Sequence, residues 1–159
     1  MKAAIFSALD ARGLLLDAVV LDLYAGCGAL GLEAVSRGAA EVSLVDSDRA
    51  AQVALRANVE ALGMASQARV LATTADSAAR AVGTVDLVFA DPPYDTATTV
   101  VDALLAALVT RVPGGTIVLE RPTRSDPVQP PAGWAVTWTR TFGDTLVVFV
   151  QEDTNSSGR

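Results

Sequence analysis

Val19-Val20-Leu21-Asp22-Leu23-Tyr24-Ala25-Gly26-Cys27-Gly28-Ala29-Leu30-Gly31 is the stretch that decides the fold. Its apolar start is long enough for one buried strand. A glycine-rich turn follows, and then Leu32-Glu33-Ala34-Val35-Ser36-Arg37 carries helix-forming residues up to Gly38, a helix stop. Strand, glycine turn and helix together open a βαβ unit, in which the glycines let backbone approach a ligand closely.

The same grammar repeats downstream. Glu41-Val42-Ser43-Leu44-Val45 reads as a second strand ending at Asp46. Ser47 or Asp48 caps a long helix that runs to Leu62 and stops at Gly63. A third strand is expected over 68–72, a short helix from Asp76, a fourth strand over 85–90 and a helix over 96–109. Pro113-Gly114-Gly115 breaks that helix before a fifth strand over 116–120. Residues 122–131 read as a proline-rich loop, and Arg121 and Arg124 beside Pro122 read as solvated, with a small basic patch near the active face as the alternative. Two alternating runs, 134–141 and 145–151, flank Phe142-Gly143-Asp144 as a hairpin. Residues 2–9 form a helix with Ile5, Phe6 and Leu9 on one side. The pattern predicts one α/β domain over 1–151, with a doubly wound, mostly parallel sheet that ends in an antiparallel hairpin. Residues 152–159 are expected to be a disordered polar tail.

Ligands of such sheets sit at the carboxyl ends of the strands, where Asp22, Asp46, Asp76 and Asp91 all fall. An acid twenty residues beyond Gly26 accepts from a ribose diol, which points to a nucleoside ligand. Asp22 beside the glycine loop would repel a pyrophosphate. It suits S-adenosylmethionine (AdoMet) instead, which carries an ammonium, a carboxylate and a sulfonium. Asp76-Ser77 could accept from an adenine amino group or simply start a helix.

Asp91-Pro92-Pro93-Tyr94 then ends the fourth strand. Prolines present carbonyls without donors. An acid before them adds an acceptor and a tyrosine after them adds a flat ring. That corner can hold an exocyclic amino group by its hydrogens while the base stacks on the ring. Adenine, cytosine and guanine all fit it.

Composition narrows the chemistry. The 159 residues contain no histidine and one cysteine, Cys27. A Ser-His-Asp triad, an internal disulfide and a transition-metal site are thereby set aside. A lone cysteine fits the reducing cytoplasm. Apolar runs fall short of the roughly 20 residues a membrane span needs, and no secretory leader opens the sequence. Net charge is −6, with eleven arginines and one lysine, which is an awkward balance for a nucleic-acid protein.

The phrases VLDLYAGCGALGLEAVSRGA at 20–39, VDSD at 45–48, FADPPY at 89–94 and KAAIFSAL at 2–9 resemble the RsmD family of 16S ribosomal RNA guanine-N2 methyltransferases, over about residues 2–150. The resemblance implies a Rossmann-like class I AdoMet-dependent methyltransferase fold. It implies methyl transfer to a guanine N2 in 16S rRNA or the assembling small subunit, and with the composition a cytoplasmic monomer without a metal is expected. Carried onto this sequence, it makes Asp91, Pro92 and Tyr94 catalytic. It makes Asp22, Tyr24, Ala25, Gly26, Cys27, Gly28, Leu30, Asp46, Ser47, Asp76, Ser77 and Asp91 cofactor contacts. Members of that family carry a basic N-terminal hairpin ahead of the helix that opens this chain, so AdoMet binding with a weak RNA grip is expected. Rival readings are an N6-adenine methyltransferase, an inactive AdoMet-binding module, and an NAD oxidoreductase, which would explain neither Asp22 nor the DPPY corner.

Overall fold

Strands apolar on both faces need helices on both faces, and the inner strands here are buried at nearly every position. The computed structural model describes residues 1–154. In chain order the elements are α1 (Lys2–Ala11), β1 (Val19–Leu23), α2 (Ala29–Ser36), β2 (Glu41–Val45), α3 (Arg49–Ala61), β3 (Ala68–Leu71), α4 (Ala75–Ala81), β4 (Leu87–Ala90), α5 (Thr98–Leu108), β5 (Thr116–Pro122), β6 (Trp134–Phe142) and β7 (Thr145–Glu152). They build one seven-stranded sheet of order β3-β2-β1-β4-β5-β7-β6. Pairing is parallel from β3 through β5, and β7 runs antiparallel to both its neighbours.

Alternation along the strands divides the core in two. Val20, Leu44, Phe89 and Val118 pack on one side with α1, α2 and α3. Leu21, Leu23, Val88 and Leu119 pack on the other with α4 and α5. After β3 the chain crosses back to lay β4 beside β1, and the strand order reverses there. A crevice at the carboxyl ends of β1 and β4 is the geometric result.

Some boundaries differ from expectation for local reasons. Asp48, rather than Ser47, caps α3 by accepting from the Ala51 N–H. Thr74 caps α4 through the Ser77 N–H, so Asp76 lies inside the first turn and does not start the helix. Strand β5 continues two residues past Glu120, because Arg121 and Pro122 pair with Leu146 and Thr145 of β7. Pro122 closes the strand, where its missing N–H is no loss. The hairpin turn is only Gly143-Asp144, with Gly143 at φ 57°, as a tight two-residue connection requires. Glu152, placed in a tail by the sequence, belongs to β7, and its carboxylate accepts from the Gly114 N–H at 3.0 Å. Asp153 donates its N–H to the Gly133 carbonyl. Residues 155–159 of that tail lie outside the described residues.

Helix α2 crosses β1 and β2 at Gly31, where a Cβ would stand 2.6 Å from Leu44 Cδ2, 2.8 Å from Asp22 Oδ2 and 3.0 Å from Val42 Cγ2. None of these neighbours is a free surface side chain, so a methyl must push the helix off the sheet. Gly31→Ala is therefore expected to lower unfolding free energy by about 1–3 kcal/mol. Urea denaturation followed by circular dichroism measures this.

Candidate active site

Asp22 is built into β1 with its side chain on the α2 side, and only 3% of its surface is exposed. Its Oδ2 accepts from the Gly31 N–H at 2.9 Å. Burial pushes its pKa up to about 7, against the pull of that hydrogen bond, and the Glu120, Asp91 and Asp46 carboxylates push it further. The chain then leaves β1 through Tyr24, at φ 55°, and Gly26, at φ 60°. Asp46, at the end of β2, braces this turn. Its Oδ2 accepts from the Gly26 N–H at 3.0 Å and its Oδ1 from the Asp48 N–H at 2.9 Å. A carboxylate has lone pairs to spare beyond those two bonds.

At the end of β4, Pro92 is buried while Asp91, Pro93 and Tyr94 reach the surface. Asp91 has an open edge, yet enough protein surrounds it that desolvation raises its pKa. The Tyr94 ring is 61% exposed, and the Arg124 guanidinium lies 3.8 Å from its centroid.

Two cavities meet here. One, of about 250 Å³, is lined by Asp22, Tyr24, Ala25, Leu30 and the start of α1. The other, of about 320 Å³, is lined by Pro92, Pro93, Tyr94, Arg121, Pro122 and the β6–β7 turn. Asp91 and Glu120 belong to both. Glu120 is the residue that sequence reading missed. It is 6% exposed, and burial, then the neighbouring Asp91, pushes its pKa up to about 7. The signal was present, since the fifth strand as read from sequence ends on the acid Glu120, much as Asp91 follows the fourth. Carboxyl groups at Asp22, Asp91 and Glu120 make the first cavity hostile to a pyrophosphate. They make it receptive to positive charge and to N–H donors.

Other expected contacts lie elsewhere. Cys27 and Gly28 face a separate cavity between α2 and α3, and the Cys27 carbonyl accepts from Asn58 Nδ2 at 2.8 Å. Asp76 is paired with Arg80 at 3.2 Å just after β3, which lies two strands out from β1, and it adds to the burial that raises the Tyr24 pKa. The Ser77 N–H is already taken by Thr74 Oγ1. Ser47 is exposed beside Asp46. Arg121, read from sequence as solvated, is 4% exposed, because β5 carries it into the sheet end. Among the described residues, no His/Cys/Asp/Glu group could hold a metal, and no helix is long and apolar enough to cross a membrane.

Residues 1–151 match the family described as "Conserved hypothetical protein 95". The chain is 46% identical over 81 residues to the Ribosomal RNA small subunit methyltransferase D of Escherichia coli K12, a match covering 50% of this chain and 40% of that protein. The curated relatives are thus matched over about two fifths of their own length. Among solved structures, the Escherichia coli yhhF protein superposes with a TM-score of 0.85 at 29% identity, covering 96% of this chain and 86% of that one. A conserved hypothetical protein of Streptococcus pyogenes gives a TM-score of 0.85 at 28% identity, covering 96% of both chains.

The raised carboxyls have a sign that stability measurements can read. Asp22 and Glu120 hold protons up to about pH 7 when folded, against ordinary values of 3.8 and 4.5. Between those limits the folded state binds more protons than the unfolded one. Stability is therefore greatest below the lower limit and falls as pH rises through 7. Asp22→Asn keeps an oxygen for Gly31 but cannot ionise. Its stability loss between pH 4.5 and pH 8 should be smaller than that of the parent by on the order of 2–4 kcal/mol. Urea midpoints at the two pH values test this, and parallel curves would mean that Asp22 is already charged at neutral pH.

Proposed function

The chain belongs to the conserved hypothetical protein 95 family, the RsmD family, and from that premise we propose that it transfers a methyl group from AdoMet to the N2 amino group of a guanine in 16S rRNA. Its fold is the Rossmann-like class I methyltransferase fold, with the terminal antiparallel hairpin. The observation that carries the proposal is the junction of the two cavities at Asp91 and Glu120, beside the exposed ring of Tyr94.

The first cavity fits AdoMet by the chemistry of its donors. Asp22 and Glu120 offer acceptors to an ammonium, with Asp91 only a secondary neighbour on the base side, and Asp46 keeps lone pairs for a ribose diol. NAD is disfavoured by the same carboxyls, which would face its pyrophosphate. When bound, AdoMet supplies a methyl group already activated on a sulfonium, so the protein needs no nucleophile of its own.

What remains for the side chains is orientation. A guanine N2 lone pair is delocalised into the ring and attacks poorly. Asp91 and the Pro92 carbonyl accept its two N–H groups, which turns the nitrogen toward a pyramidal geometry and frees the lone pair. Alignment of this kind supplies up to about 7–11 kcal/mol of a barrier. Tyr94 stacks on the base, an interaction worth roughly 1–3 kcal/mol at comparable sites. The base must be unpaired or flipped out to enter. The family relationship supports guanine and the small-subunit RNA, since the DPPY corner would serve an adenine N6 equally well.

Incubation of undermethylated small subunits or 16S RNA with AdoMet, followed by nuclease digestion and mass spectrometry, tests the proposal. N2-methylguanosine is expected. N6-methyladenosine would move the assignment to adenine, and no methylation of either substrate would remove it. Asp91→Ala should bind AdoMet within a few fold of the parent yet lose at least about a hundredfold in kcat, since it strips acceptors from the reacting nitrogen. Tyr94→Ala should chiefly raise KM, and Tyr94→Phe should be mild because stacking uses the ring. Near-parental turnover by Asp91→Ala in single-turnover assays would dismiss its role.

A further inference from the structure

Arg121 is a buried cation with unfinished hydrogen bonding. Its Nη2 donates to the Thr96 carbonyl at 2.8 Å, whereas its Nε and Nη1 are buried without a partner. Adjacent strand residues face opposite sides of a sheet, so Glu120 points away from it. No carboxylate among the described residues forms an ion pair with it. A guanidinium held this way is expensive to bury unless a ligand completes it.

The surroundings say what ligand that is. Arg121 lines a further cavity of about 410 Å³ together with Tyr94, Arg124 and residues 96–99. Helix α5 starts there, and its N-cap, Ala97, gives the first-turn N–H groups no side-chain acceptor. Such N–H groups and the helix dipole favour an anion. Arg124 adds a second guanidinium, now resting on the Tyr94 ring. Asp95 and Asp126 line the same cavity, so its charge is balanced. It therefore selects by directed N–H groups, which suits one planar-forked contact to one phosphate.

We propose that Arg121, Arg124 and the N-terminus of α5 form a subsite for the RNA backbone phosphate flanking the nucleotide whose base stacks on Tyr94. This rests on the function proposed above. In the free protein Arg124 covers the ring face that a base would take. A base entering there displaces the guanidinium, which then turns to the phosphate beside it. The subsite also accounts for how a chain of net charge −6 could register RNA locally, through fixed donors instead of a broad positive field.

The experiment uses single-stranded oligoribonucleotides with one guanine, bound to the full chain in the presence of AdoMet at low salt. One version carries an uncharged methylphosphonate on the phosphate flanking that guanine, and control versions carry it several residues away. The parent should lose about tenfold in affinity for the flanking replacement, the scale of one charge-assisted contact, and little for the distant ones. In Arg124→Gln, a surface change, and in Arg121→Lys the flanking penalty should shrink to about twofold or less, with AdoMet affinity unchanged. A purely structural arginine would leave the penalty intact in both variants, and that result overturns the subsite. Equal penalties at all positions in the parent would overturn it too. Mass spectrometry of the same complexes reports methylation separately, so failure of the chemistry is distinguishable from failure of the phosphate contact.

Discussion

Between the carboxylate of Asp22 and the backbone of Gly31 there is room for a hydrogen bond and for no further atom. The cavity-bearing end of the molecule depends on that fit. A carboxyl group inside a sheet covered by helices is costly unless a donor meets it, and the donor here is the N–H of the glycine that lets α2 approach. The contact fixes the start of α2, hence the path of the glycine turn, hence the place where the Gly26 N–H reaches Asp46. Asp46 thereby ties the second strand to the first. One close approach of a helix to a strand sets the floor and one wall of the cavity.

The opposite wall has a different origin. Asp91 and Glu120 each follow the last parallel pair of β4 and β5, Ala90 with Leu119, so sheet pairing alone brings them together. Their proximity, and burial above all, keeps Glu120 protonated at pH values where a surface glutamate would be charged. The cavity is thus acidic in composition, with Asp22 and Glu120 titrating near neutral pH. A cationic ligand would restore the ionised forms, so recognition and proton release are linked in the same carboxyls.

Much of this was legible in the sequence, because strand, glycine turn and helix obey short-range rules. Asp22, Asp46 and Asp91 were read from their places at strand ends, and a doubly wound, mostly parallel sheet with an antiparallel hairpin follows from four βα units and two alternating runs. What was not legible depended on pairing across long separations. Glu120 looked like the last residue of a strand and Arg121 like the edge of a proline-rich loop, because nothing local announces that β7 returns to extend β5. Cys27 sits in the glycine turn by sequence but faces the α3 side in space, since the left-handed residues around it turn its carbonyl toward Asn58. Asp76 was placed at a helix start one residue late, because Thr74 is the better-positioned cap.

The insertion of β7 between β5 and β6 has a consequence for how the molecule comes into being. On a growing chain, β1 to β5 and their helices can assemble while the outer edge of β5 is still bare. The strand that covers that edge is synthesised later than β6, and Gln151 lies 35 positions after its partner Thr116. Until Leu146 and Val147 arrive, Glu120 and Arg121 remain wet and without their final surroundings. Formation of the cavity around Glu120 is therefore coupled to the arrival of β7. The free edge of β5 is also the stretch most in need of protection from other chains while synthesis is under way.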